Sequence, residues 1–197
     1  MSKFEYSFDG SILEPDEGEI VRTVFIKPLN EGRFKDFCTE SGIVSYLPLR
    51  KVCRLKRVIS KGKPYQYQSV ILRPMFPGYI FVKMTAGQRT ALFQTGLVVR
   101  ILGGHERPQG LLDEIRLIHQ IEDIAKCTEV EFNADIKEGD RFLIDSGPWQ
   151  GVYGWLKKKE KRFLWMVELE CVNCLVSATI DPSLYRMIPA EDFSATR

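Results

Sequence analysis

Apolar residues along this chain switch between a two-residue and a three-to-four-residue repeat, and the switches predict its elements. Val21-Arg22-Thr23-Val24-Phe25-Ile26-Lys27 reads as a strand stopped by Pro28. Asn30 is placed to cap a helix, Glu31 suits its first turn, Phe34, Phe37 and Cys38 form its apolar stripe, and Gly42 ends it. A second strand is expected from Ile43 to about Arg50. Val52, Leu55, Val58 and Ile59 then interleave with cations, and Ser60-Lys61-Gly62-Lys63-Pro64 has the chemistry of a projecting hairpin tip. In Arg73-Pro74-Met75-Phe76-Pro77-Gly78-Tyr79-Ile80-Phe81-Val82-Lys83 the chain turns sharply and commits to a strand. Phe76, Gly78, Ile80 and Val82 fall on one side; Pro77, Tyr79, Phe81 and Lys83 fall on the other. Both sides are substantially apolar, so one face is expected under the protein's own helices and the other under a further helix or a binding partner.

Thr85 is placed to cap a short helix containing Ala91, Leu92 and Phe93, ended by Gly96. Leu97 to Leu102 reads as a strand, broken by Gly103-Gly104. Leu111, Ile115, Ile118, Ile121 and Ala125 recur at helical spacing and predict a helix packed on the sheet. The order β-α-β-hairpin-β-α-β-α over residues 21–126 describes an α+β domain, a helix-covered, mainly antiparallel sheet. Residues 127–134 are polar and mixed, and are expected to be a linker. Residues 135–190 follow a different grammar: a strand, a glycine-proline turn and a strand within Gly139 to Trp155, then short strands at Phe163 to Glu170, Leu175 to Ile180 and Leu184 to Ile188. Such spacing predicts a small β-barrel. Residues 1–20 are expected to be a flexible acidic leader and residues 191–197 a tail.

Composition adds limits. The 197 residues are 44% apolar and 27% charged, the profile of an ordinary soluble protein with a real core. No window approaches about 18 uncharged apolar residues, so no membrane span is expected. There is no secretory signal pattern, and five cysteines without a framework spacing suggest free thiols in a reducing compartment, by default the cytoplasm.

The net charge of +2 conceals an asymmetry. Residues 1–20 carry six acids against Lys3; residues 21–126 carry 18 Lys/Arg against 8 Asp/Glu; residues 135–190 balance at 8 of each. Within the middle segment, Arg50, Lys51, Arg54, Lys56, Arg57, Lys61 and Lys63 stand without an acid among them. These lysines could simply guard the hairpin's edges against strand pairing. A polyanion is the stronger reason to keep seven like charges in fourteen residues, with Tyr65 and Tyr67 beside them to stack on bases.

Catalytic readings find little support. Cys171-Val-Asn-Cys174 has the spacing of a redox or zinc pair, but one pair gives two ligands, and two buried thiols at a strand connection account for it. His105 and His119 lack a nucleophile or carboxylate to complete a site. No phosphate-cradling glycine loop is present. No catalytic residue, metal or cofactor is therefore expected. Lys157-Lys158-Lys159-Glu160-Lys161-Arg162 suits either a solvated loop or an RNA contact.

The Phe76-to-Val82 segment inside an α+β domain, followed by Gly139, Asp140, Gly147, Pro148, Trp149, Gly151 and Gly154 as a KOW-like unit, resembles the NusG family of transcription elongation factors over residues 21–190. The resemblance implies a factor that rides RNA polymerase. Its first domain would grip a coiled coil of the largest subunit, and an SH3-like KOW barrel would recruit a ribosomal protein or a termination factor. By position, Phe25, Phe76, Pro77 and Tyr79 fall where the family builds its pocket for that coiled coil, with Ile101 at the rim. Glu31-Gly32-Arg33 matches the start of the family's first helix. Gln88, Arg89 and Thr90 lie where the family touches the opposite jaw of the cleft, without a preserved motif. The basic hairpin lies where specialised paralogues meet upstream or non-template DNA. Val21-Arg22 in place of the usual Trp-Tyr, the added leader, and Trp149 in place of Phe point to a specialised paralogue similar to RfaH or the capsule-operon antiterminators. A monomer that suppresses pausing and termination is the expectation, with a ribosome- or RNA-binding KOW protein as the alternative.

Overall fold

The computed structural model describes residues 8–60, 63–102, 108–125, 130–132 and 140–189. Among them the fold is α+β, with three α-helices and strands paired antiparallel throughout. The chain divides into two compact units, Met1–Leu102 and Gly103–Arg197.

The first unit is built on a four-stranded sheet. Strand β1 (Glu19–Ile26) pairs with β5 (Tyr79–Thr85) and β6 (Val98–Ile101), and β2 (Ser45–Tyr46) lies on the far edge of β5. Alternation decides what each face does. Val24, Ile26, Ile80, Val82 and Met84 point to one face and form a buried core with Phe34 and Cys38 of α1 (Glu31–Glu40) and Leu92 of α2 (Ala86–Gln94). Val21, Thr23, Phe81 and Tyr46 are buried on the other face. Strands β3 (Leu49–Ser60) and β4 (Lys63–Pro74) form a separate two-stranded ribbon.

Local chemistry starts and stops these elements much as expected, with differences that have physical reasons. Thr85 caps α2 through a reciprocal box, its hydroxyl accepting from Gln88 N (3.3 Å) while the Gln88 side chain accepts from Thr85 N (2.9 Å). Asn30 precedes α1 but makes no side-chain cap; its amide donates backward to the Pro28 carbonyl (3.2 Å). The strand expected from Ile43 to Arg50 is reduced to Ser45–Tyr46, because Pro48 has no N–H for a ladder, and pairing resumes at Leu49.

The leader is ordered from Phe8 onward, which corrects the expectation of flexibility for that part. Gly10–Leu13 form a 3-10 turn capped by the Asp9 carboxylate, which accepts from Ser11 N at 3.0 Å. The Ser11 hydroxyl, and then this backbone N–H, hold the Asp9 pKa below its ordinary value by hydrogen-bonding its charged form. Ile12 is fully buried, and the Phe8 ring packs edge-on against Tyr46 at 4.8 Å.

In the second unit six strands form one antiparallel sheet in the order β12-β8-β9-β10-β11-β7, comprising β7 (Val130–Phe132), β8 (Asp140–Ile144), β9 (Tyr153–Lys159), β10 (Arg162–Leu169), β11 (Cys174–Ile180) and β12 (Met187–Pro189). Part of the expected linker is thus a strand, since Val130 and Phe132 satisfy the free edge of β11. Helix α3 (Pro108–Ile124) belongs to this unit. The Glu114 carboxylate accepts from Glu170 N (3.0 Å) and Cys171 N (2.7 Å), and the Gln120 amide donates to the Pro148 carbonyl (2.6 Å). These bonds are one reason the division falls at Leu102 and not near Lys126, which lies outside the described residues.

Candidate functional site

The Phe-Pro-Gly-Tyr turn is locked from beneath. Gly78 adopts φ +83°, and a Cβ there would lie 2.7 Å from Cε2 of Phe25. Its N–H donates to Glu31 Oε1 (2.8 Å), a buried carboxylate at the first residue of α1. The helix start Glu31-Gly32-Arg33 and the turn ahead of β5 are therefore one joint. Its consequence is the placement of two rings: Phe25 and Tyr79 are cross-strand partners, half-buried, with centroids 5.0 Å apart.

Among the expected pocket residues, the structure brings Phe25 and Tyr79 together and leaves Pro77 exposed beside them. Phe76 is 4% exposed, a ring inside the fold and not on the surface beside Phe25 and Tyr79. Ile101 is paired with Val24 and packs on the helix-covered core, so it faces away from the rings and does not form their rim. Arg100 takes that place, its guanidinium 5.5 Å from the centroid of Phe25. Strand alternation around Ile101 was the available signal for Arg100, because neighbours on a strand face opposite ways. On the far side of Pro77 a groove of about 340 Å³ is walled by Leu47, Leu49, Leu72 and Arg50, with Leu29 96% exposed at its lip. Gln88, Arg89 and Thr90 sit in the first turns of α2, where Gln88 is already engaged in the cap.

The β3–β4 ribbon keeps one register from Leu49↔Pro74 to Ser60↔Lys63, and that register sorts its cations. Arg50, Arg54 and Lys56 share a face with Arg73, Tyr65 and Tyr67; the two tyrosine rings lie 6.1 Å apart and nearly parallel. Lys51 and Arg57 share the opposite face with Cys53, Leu55 and Val70. Leu55 there is 68% exposed. Lys61 lies outside the described residues, and Lys63 opens β4. Sequence reading pooled these charges; it also missed Arg73, which only the register places opposite Arg50.

In the second unit the residues expected to form a KOW-like unit shape a turn. Asp140 begins β8; Gly147, Pro148 and Trp149 form a 3-10 turn with Trp149 buried; Gly151 N donates to the Ile144 carbonyl (2.8 Å). A Cβ on Gly154 would lie 2.3 Å from the Met166 carbonyl, so only glycine lets β9 cross β10 this closely. Gly139 lies outside the described residues. Cys171 and Cys174 are buried around a left-handed Asn173. Burial, and then the Glu114 carboxylate, push the Cys171 thiol above its ordinary range, which disfavours the thiolate that nucleophilic or redox work needs. His119 lies on α3 with Nδ1 3.7 Å from Glu122 Oε2.

Residues 22–120, just over half of the chain, match the family model described as transcription termination factor NusG. No curated relative matches the chain. The match spans the joint, both rings and the basic ribbon, and NusG proteins are non-enzymatic factors of transcription elongation and termination. This chain belongs to the NusG family.

Proposed function

We propose that this protein docks on the coiled coil of the largest RNA polymerase subunit through the Phe25–Tyr79 face and suppresses pausing and termination, as a monomeric antiterminator of the RfaH or capsule-operon kind. The observation that carries this reading is the ring pair itself: two half-buried aromatics held 5.0 Å apart on the face turned away from the α1–α2 core. Rigid aromatics at the centre of a patch are the usual anchors of protein interfaces. No covalent chemistry is needed. Holding the two sides of the polymerase cleft together disfavours the open, paused state by the factor's differential affinity for the closed one, and about 1.4 kcal/mol shifts that equilibrium tenfold.

The ribbon would add salt-sensitive attraction to upstream or non-template DNA, with Arg50, Arg54 and Lys56 on the tyrosine face making the principal contacts. The second unit would act as an SH3-like KOW barrel that recruits a ribosomal protein or a termination factor. A ribosome- or RNA-binding role is the second reading. It is favoured by the cations laid over rings there, Arg141 over Trp155 at 5.3 Å and Lys158 over Phe163 at 5.9 Å.

Co-purification separates the two. Retention on polymerase, lost in Phe25→Ala with Tyr79→Ala, supports the elongation factor; co-sedimentation with ribosomes and no polymerase retention supports the alternative.

A further inference from the structure

The ring pair is one end of a longer aromatic row. Tyr79, Phe81 and Lys83 alternate onto the same face of β5. Tyr46 is the cross-strand partner of Phe81, with its ring nearly parallel at 6.1 Å, and the leader's Phe8 closes the row on Tyr46. The leader is fastened again further along. Lys83, 8% exposed, donates to the Glu14 carbonyl (3.3 Å) and pairs with Glu19 Oε2 (3.1 Å). Between these fastenings, Ile12 is the one fully buried side chain of the 3-10 turn.

We propose that leader residues 8–18 are a displaceable occupant of the Tyr46–Phe81–Lys83 end of the docking face, and that they lift when a partner segment extends along it from the ring pair. This rests on the reading of Phe25 and Tyr79 as the polymerase contact. The leader also shows the chemistry of what would replace it: a segment with an aromatic or aliphatic anchor, a carbonyl or carboxylate for Lys83, and acidic flanks such as Asp9, Glu14, Asp16 and Glu17. Displacement is within reach because, among the described residues of the leader, Ile12 is the one fully buried side chain set against the entropy of ordering some eleven residues. Glu19 stays on β1 beside Lys83 whether or not the leader lifts, so no buried charge is stranded.

Two measurements on the full chain test this. In amide hydrogen exchange, residues 8–18 are expected to exchange at least about 100-fold faster than β1 and β5, the mark of a segment that opens while the sheet stays closed. Equal protection would overturn the proposal. In a direct titration with purified RNA polymerase, Phe8→Ala with Ile12→Ala is expected to bind about three- to tenfold more tightly, since a competing occupant taxes affinity by the fraction of time it is bound. Unchanged or weaker binding with β1 and β5 protection intact would overturn it, and so would loss of that protection, which would make the leader a part of the core. Phe25→Ala with Tyr79→Ala separates the two ideas: if it binds as the parent does, the polymerase reading itself fails, whereas loss of binding there beside unchanged affinity in the leader variant sinks only the displacement.

Discussion

Gly78 is the residue on which the proposed docking face turns. Its φ of +83° and the 2.7 Å approach to Phe25 leave no room for a methyl group. Gly78→Ala is expected to cost about 1–3 kcal/mol in a denaturant titration, through backbone strain and a displaced ring. It should weaken polymerase binding as well; full retention of both stability and affinity would show that the joint does not position Phe25. Phe76→Ala is a different experiment, because Phe76 lies inside the fold, and the expected outcome is a stability loss of about 3–5 kcal/mol with any binding loss following from it. The cysteines separate in the same residue-by-residue way. Burial pushes the Cys38 thiol up to about 11 and Cys171 further still, while Cys53 is exposed on the ribbon. Mass mapping after brief alkylation at neutral pH should find Cys53 modified well before Cys38, Cys171 and Cys174. The sign of the linkage for Cys38 follows: the native state keeps its proton above the ordinary value of 9.0 while the unfolded chain releases it, so this group's contribution to stability is intact below pH 9 and declines toward about pH 11.

Elements show where pattern reading succeeds and where it stops. Alternation in Tyr79 to Lys83 announces two apolar faces before any coordinates, and both exist. The ribbon is equally legible from its turn chemistry and charges, but pairing register is a tertiary fact, and without it the cations cannot be assigned to faces. That assignment is testable. Arg54→Glu with Lys56→Glu, on the tyrosine face, is expected to lower the slope of log affinity for DNA against log salt by about two, since each phosphate contact contributes nearly one. Lys51→Glu with Arg57→Glu, beside Leu55, should change it much less. Equal effects from the two pairs would remove the distinction between the faces. Helix α3 was foreseen from its apolar stripe, yet nothing local to it shows that Glu114 reaches two backbone N–H groups some 56 residues away. Glu114→Ala should destabilise the second unit by about 1–3 kcal/mol by leaving those donors without their acceptor, a change readable in thermal melts.

At the scale of the whole molecule, the family is legible because two motifs occur in the right order, and the matched span of residues 22–120 bears this out for the first. The fine composition of the proposed docking face is not legible, for a physical reason. Whether an aromatic such as Phe25, Phe76 or Phe81 ends up at the surface depends on which neighbours cover it, and those come from distant parts of the chain. Phe76 sinks into the fold, Arg100 replaces Ile101 at the rim, and a leader that looks unstructured by composition fastens onto Tyr46 and Lys83. What survives these corrections is the pair of rings on the joint between α1 and β5. The most direct test is a titration of purified RNA polymerase with the parent protein and with Phe25→Ala plus Tyr79→Ala, both checked for an unchanged circular dichroism spectrum. Loss of two interface anchors is expected to weaken binding by about 100-fold or more; affinity equal to that of the parent protein would contradict the account.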